Sequence, residues 1–309
     1  MGIVILRQDD KIDLWKKALL AADPEIPIYS FLEEHPRDEI DMALVWKHPK
    51  GSLQHYPNLK CIACFGAGVD FIFEDTERPL NLPITRVVDP KLASDMSEFV
   101  LGQILSHLKH FNQYKVDQLK KVWVMRSYQR IEDVCVGIMG MGALGMALAT
   151  DLLKLNFNVI GWANSPKENI NMPIYTGEEQ RNKFLAKADI LVCLLPLTKN
   201  TTGILNEELF RKLPKGAYVI NVARGGHLVD NDLIKMLDEG HLSGASLDVF
   251  HTEPLNTDHP FWNHAKVHIT PHIASVSDIA SVTPQLLDNY KRLQSGQPLK
   301  NVVSDLKGY

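Results

Sequence analysis

The stretch from Val134 to Leu153, VCVGIMGMGALGMALATDLL, ties one local geometry to one class of fold. A β-branched run ends at Gly140, and Gly140, Gly142 and Gly145 then form G-x-G-x-x-G where an apolar helical pattern begins. Each glycine meets a separate steric demand. The first permits a tight strand-to-helix turn, the second lets backbone approach a pyrophosphate, and the third allows helix to pack closely on strand. Free N–H groups at the helix N-terminus then face the anion. A Gly-rich turn alone is common. With a strand before it and a helix after it, the segment predicts a dinucleotide held by Gly140, Met141, Gly142, Ala143, Leu144 and Gly145.

The rest of the chain agrees with a doubly wound sheet. GIVIL, IPIYS, MALVW, KCIACF and ITRVV read as strands in the first part, and VCVGIM, FNVIGW, ILVCLL, AYVINV, GASLDV and KVHIT in the second, with helical patterns between them. Such alternation specifies α/β with parallel sheets. One long helix is expected from Ser94 to Val122, with Ser94 as its cap and with its length suited to a domain connection or a partner surface. A last helix is expected over residues 277–294; periodicity does not say which domain it joins.

With 309 residues, two domains are expected, because single cores stop growing at roughly 250 to 300 residues. The hydrophobic share of 45% and charged share of 23% suit a folded globular chain. Lys and Arg number 33 against 37 Asp and Glu, a net charge of −4 with no basic run, which argues against nucleic acid as a partner. The start MGIVILRQDDK lacks the marks of a secretory signal, and the uncharged run 134–150 falls short of the ~18 to 20 residues of a membrane span. A cytoplasmic protein with no membrane partner is expected. Cys61 and Cys64 form CxxC only by spacing, since in the strand pattern LKCIACFG residues three apart face opposite ways. Buried thiols are expected there.

The second strand of a dinucleotide domain delivers an acid to the ribose hydroxyls about 20 residues beyond the glycines when the ligand is NAD. Here the strand ends at Ala163, 163 − 145 = 18 residues on, and Asn164, Ser165 and Lys167 follow. Two donors and a cation suit a 2′-phosphate, which a carboxylate would repel. NADPH is therefore the expected cofactor, with NADH the alternative.

Five ordered segments, FGAGVD, the glycine loop, YVINVARGGHLVD, GASLDVFHTEPL and VHITPHIAS, closely resemble the D-isomer-specific 2-hydroxyacid dehydrogenases over most of the chain. The LVW, CFGAGVD and WANSPK segments and the closing KGY look most like the branch that reduces glyoxylate and hydroxypyruvate. The resemblance implies two Rossmann-like doubly wound parallel-sheet domains of the formate/glycerate dehydrogenase type, with the active site in the cleft between them. It implies a discontinuous substrate domain, 1–96 plus 276–309, an inserted dinucleotide domain, 97–275, and a homodimer. A small 2-oxo acid is the implied substrate.

Carried over residue by residue, Arg224 of ARGG holds the substrate carboxylate and polarises the ketone, for which a guanidinium fork is well shaped. His272 of TPHIAS is the proton donor. Glu253 of HTEP matches the carboxylate that pairs with it and favours the charged ring. Asp248 of LDVF matches the contact to the nicotinamide carboxamide, and Pro196, Val222 and Ala223 join the cofactor set. The N–H groups near Ala67 and Gly68 match the loop that receives the substrate carboxylate. From its own chemistry Trp46 is expected either to line the pocket, as an aromatic wall that favours a short acid, or to sit in the core. His264, His268 and His272 fall four apart, but Val267, Ile269, Thr270 and Pro271 favour a strand over a helix, so no metal is expected there. Two alternatives stay open: a D-lactate-type or other 2-oxo acid reductase of the same family, and a dinucleotide-sensing binding protein, corepressor-like, without turnover.

Overall fold

The computed structural model describes residues 2–166, 171–304 and 308. They form two units, Met1–Leu92 with Ser277–Tyr309, and Ala93–Val276. Each is built on a wholly parallel sheet.

The first sheet contains β1 (Gly2–Arg7), β2 (Ile28–Ser30), β3 (Ile40–Trp46), β4 (Cys61–Cys64) and β5 (Ile84–Thr85), in the order β2-β1-β3-β4-β5. Its strands are buried on both faces, as the unbroken apolar runs require. Along β4, Cys61 and Ala63 join one core cluster while Ile62 and Cys64 join the other, so the two thiols do face opposite sides of the sheet. Burial pushes the Cys61 thiol up to about 12.

Helices Ile12–Ala22 and Ile279–Gln294 cover the first of those faces through Trp15, Leu19, Val282, Leu286 and Tyr290. The last helix thus packs in the first unit. Asp278 caps it by accepting the Ser281 N–H at 2.9 Å.

The second sheet contains β6 (Cys135–Met139), β7 (Asn158–Ala163), β8 (Ile174–Thr176), β9 (Ile190–Cys193), β10 (Ala217–Asn221), β11 (Leu242–Leu247) and β12 (Val267–Ile269). Its order is β12-β11-β10-β9-β6-β7-β8. The direction of winding reverses between β6 and β9, which makes their carboxyl ends the place where a ligand can reach exposed backbone. Alternate residues of β9 and β10 enter opposite core clusters, closed on one face by helices Pro90–Leu108 and Ala143–Lys154 and on the other by Gly177–Leu185 and Asp230–Asp238.

The expected single helix from Ser94 to Val122 is instead two, Pro90–Leu108 and Phe111–Lys120. His110 adopts φ 57°, a left-handed conformation that ends the first helix. The start also lies earlier than Ser94. Proline occupies the first helical position at Pro90, and Asp89 accepts the Lys91 N–H at 3.2 Å.

Under the first of these helices the His107 ring stacks on Tyr218 of β10, with centroids 3.8 Å apart. The Tyr218 hydroxyl lies 2.7 Å from Ser246 Oγ, which donates to Gln103 Oε1 at 2.9 Å. Burial pushes the His107 imidazole down to about 4, with the fields of His110 and His268 adding to it. An unfolded histidine titrates near ~6.5, so between about pH 6.5 and 4 the unfolded chain binds protons that the folded chain refuses. Stability is therefore full above that window and is lost as pH falls through it, by about 3 kcal/mol for this one group. Denaturant melts at a series of pH values are expected to show the loss, and His107→Phe should flatten it. Identical slopes for the two proteins would remove His107 from the account.

Candidate active site

In the second unit the glycine loop occupies the switch point. Gly140 has φ +106°, and a Cβ there would stand 2.6 Å from the Leu194 carbonyl oxygen beyond β9. At Gly145 a Cβ would stand 2.0 Å from the Gly140 carbonyl oxygen. Both positions exclude any side chain. Around Gly142, by contrast, a Cβ meets nothing within 4 Å, and Gly142 provides no side-chain cap to the helix it opens. Ala143 is exposed and Leu144 half-buried beside it. The Met141 side chain turns inward, where a Cβ at Gly161 of β7 would stand 2.7 Å from its Sδ. Only its backbone is left for a ligand.

Ala163 closes β7 and is buried, whereas Asn164 and Ser165 after it are exposed; Lys167 lies outside the described residues. Donors rather than a carboxylate follow the strand next to the glycine loop. The uncapped helix N-terminus, the room at Gly142 and these donors together fit a dinucleotide with a 2′-phosphate. Pro196 follows β9, and Val222 and Ala223 follow β10, the latter two buried.

Three adjacent strands carry the candidate residues. Arg224 follows β10, Asp248 follows β11 and His272 follows β12. Arg224 is extended and half-buried; its Nη1 donates to the Ala223 carbonyl at 2.7 Å, and its own carbonyl accepts from Asn221 Nδ2 at 2.9 Å. A Cβ at Gly225 would stand 2.0 Å from the Phe250 carbonyl carbon, so the glycine lets the Arg224 turn press against the backbone that leads to Glu253.

His272 Nδ1 and Glu253 Oε2 are 2.8 Å apart, both side chains partly exposed. Glu253 Oε1 accepts the Phe250 N–H at 3.2 Å. This fixes the carboxylate, and the Nδ1 bond leaves the other ring nitrogen, Nε2, on the side away from Glu253. His272 has φ 53°, a conformation uncommon for a residue with a side chain.

Asp248 explains why that loop holds. It is buried, and its carboxylate accepts from Thr270 Oγ1 at 2.6 Å, the Ile273 N–H at 3.0 Å and the Ala274 N–H at 2.9 Å. Three of its roughly four acceptor sites brace the loop on either side of His272, which leaves one for a ligand. His264 and His268 do not join His272: His264 Nε2 lies 3.3 Å from Asp238, and His268 sits within β12.

The first unit places its own candidates at the carboxyl end of its sheet. Trp46 ends β3, next to the β1/β3 switch point, and its ring lies on Gly66, where a Cβ would stand 2.5 Å from Cζ3. Ala67 and Gly68 are half-buried in the loop after β4.

Two groups here give no sign in the linear sequence. The Cys64 thiol donates to the Gly68 carbonyl and accepts the Gly66 N–H, both at 3.3 Å, bracing the loop that holds Ala67. His227, fully buried, places its ring nitrogens 3.1 Å from the Arg224 carbonyl and 3.3 Å from the Pro196 carbonyl, joining the loops after β9 and β10. Only the fold brings these partners together.

The model of the D-isomer specific 2-hydroxyacid dehydrogenase NAD binding domain matches residues 101–274. Glyoxylate/hydroxypyruvate reductase A of Serratia proteamaculans (strain 568) is 37% identical, over 100% of both chains. A D-isomer specific 2-hydroxyacid dehydrogenase from Xanthobacter autotrophicus Py2, solved with NADPH and MES, is 36% identical with a TM-score of 0.95, covering 100% of this chain and 99% of its own. The NADPH-dependent glyoxylate/hydroxypyruvate reductase of Sinorhizobium meliloti, solved with NADP and sulfate, is 36% identical with a TM-score of 0.92 at the same coverage.

Proposed function

The chain belongs to the D-isomer-specific 2-hydroxyacid dehydrogenases, and from that membership we propose that it is an NADPH-preferring reductase of glyoxylate to glycolate and of hydroxypyruvate to D-glycerate. The His272–Glu253 pair, 2.8 Å apart and one strand from Asp248, carries the assignment. With its pyrophosphate held at the glycine loop, NADPH would supply the hydride from its reduced nicotinamide.

The chain's own groups do the rest. Arg224 takes the substrate carboxylate with its guanidinium fork and draws electron density from the ketone. The Ala67 and Gly68 N–H groups assist on the carboxylate. His272 donates its Nε2 proton to the ketone oxygen, while Glu253 holds Nδ1 and offsets the imidazolium charge. Trp46 limits the room for the substrate's side chain. Chiral analysis of the hydroxypyruvate product tests the proposal: D-glycerate is expected, and L-glycerate or no product would contradict it.

Asn164, Ser165 and Lys167 take the 2′-phosphate on this proposal. Asn164→Asp puts a carboxylate where that phosphate sits, an unfavourable like-charge contact. The ratio of kcat/KM with NADPH to that with NADH is expected to fall about ten-fold or more. An unchanged ratio would remove Asn164 from the cofactor set.

The enzyme acts in the cytoplasm as a homodimer on the same proposal. Among the described residues no helix is long and apolar enough to cross a membrane. Helix Phe111–Lys120 and the segment after it leave Leu119 82%, Trp123 97% and Met125 91% exposed, an apolar face that a second copy would cover. Sedimentation should give twice the monomer mass, and Trp123→Glu should reduce it.

A further inference from the structure

A buried, hydrogen-bonded histidine–aspartate pair sits behind Trp46. His48 Nε2 lies 3.0 Å from Asp75 Oδ2, and both side chains are shut off from solvent. The Asp75 carboxylate also accepts the Gly51 N–H at 3.1 and 3.2 Å and the Glu77 N–H at 3.0 Å. One carboxylate thus ties together the loop after β3 and the loop after helix Asp70–Phe73. Among the described residues His48 Nδ1 is buried without a hydrogen-bond partner. As a means of filling a core the arrangement is poor, since apolar residues of similar volume usually serve as well or better. It supplies direction instead.

That direction leads to Trp46. The His48 ring meets Phe71 edge-on at 5.8 Å, and Phe71 meets Trp46 edge-on at 5.6 Å. On its other side Trp46 lies against Gly66. Between Trp46 and His48 the chain passes through Lys47 at φ 44°, a left-handed conformation that persists only where its neighbours are anchored.

We propose that the buried His48–Asp75 pair is a positioning unit for Trp46, and that through Trp46 it limits the side-chain size of the 2-oxo acids accepted. Its specificity claim rests on the reductase assignment above. Neither His48 nor Asp75 touches the substrate on this account; both act through the Phe71 ring and the loop backbone.

Three variants of the intact chain test it, with glyoxylate and 2-oxobutyrate as substrates. His48→Leu removes the donor, His48→Gln retains one, and Phe71→Leu breaks the ring contact while leaving the pair. In His48→Leu the ratio of kcat/KM for 2-oxobutyrate to that for glyoxylate should rise about ten-fold, through a lower KM for the larger acid. His48→Gln should return the ratio toward wild type, and Phe71→Leu should raise it even if His48→Leu does not fold. An unchanged ratio in the folded variants, equal losses on both acids, or no rescue by glutamine would overturn the proposal.

A second readout needs no turnover. In the chain labelled with 5-fluorotryptophan, the Trp46 resonance, assigned with Trp46→Phe, should broaden or split in His48→Leu or Phe71→Leu and narrow again in His48→Gln. A single unchanged line would mean that the pair does not hold Trp46. A wild-type chain inactive on every 2-oxo acid would defeat the reductase assignment alone, and the fluorine spectrum would still decide the positioning role.

Discussion

His272→Ala is expected to lower kcat/KM on both glyoxylate and hydroxypyruvate about 10²- to 10⁴-fold, the usual contribution of a general acid. The proton moves only as the ketone is reduced, so kcat should fall with kcat/KM while KM changes little. Binding of NADPH, followed by its fluorescence, should be nearly unaffected, because the glycine loop after β6 makes its contacts apart from the loop after β12. Folding should also survive. Asp248 holds that loop through Thr270 and the Ile273 and Ala274 N–H groups, none of which belongs to the imidazole. Near-normal turnover in the variant at neutral pH would show that another group supplies the proton.

Arg224→Lys is the second large effect, although the charge is conserved. A lysine offers a point charge in place of a planar fork, so it can hold the carboxylate or reach the ketone but cannot do both in one geometry. The loss should be about 10²- to 10³-fold in kcat/KM, comparable to removing one donor aimed at a developing oxyanion. Both kcat and KM should suffer, which separates this variant from His272→Ala. The backbone around Arg224 is secured by Asn221 and by the Gly225 turn against Phe250, so the defect should be chemical rather than structural. A lysine variant within about three-fold of wild type would fit a surface ion pair instead of a substrate contact.

Much of the fold could be read because its strands are buried on both faces and appear as uninterrupted apolar runs. The glycine loop was equally legible, since Gly140 and Gly145 stand where any Cβ would meet backbone. What could not be read depends on partners distant in sequence or on backbone conformations that leave no mark in residue type. The helix break at His110 is one case: its neighbours keep a helical apolar spacing, and nothing in a histidine announces φ 57°. Strand β8 is another, three half-buried residues without a clear alternation.

At the candidate site, short motifs at strand ends single out Arg224, Glu253 and His272. They do not mark what holds these residues in place. The LDVF motif gives Asp248 only an expected cofactor contact, while its bonds across the β12 loop come from the fold. His227 and Cys64 grip loop carbonyls that no motif predicts, and His48 finds Asp75 from 27 residues away. Partners of this kind orient the candidate side chains in three dimensions, so linear spacing carries no record of them.

Steady-state kinetics of the intact chain on glyoxylate, hydroxypyruvate and pyruvate, each with NADPH and with NADH, decides between a reductase and a dinucleotide sensor. The account predicts kcat/KM of about 10⁴ M⁻¹ s⁻¹ or more for the first two acids with NADPH, a lower value with NADH and a further drop with pyruvate. Tight NADPH binding with no turnover of any short 2-oxo acid would contradict it and make the protein a sensor of the dinucleotide.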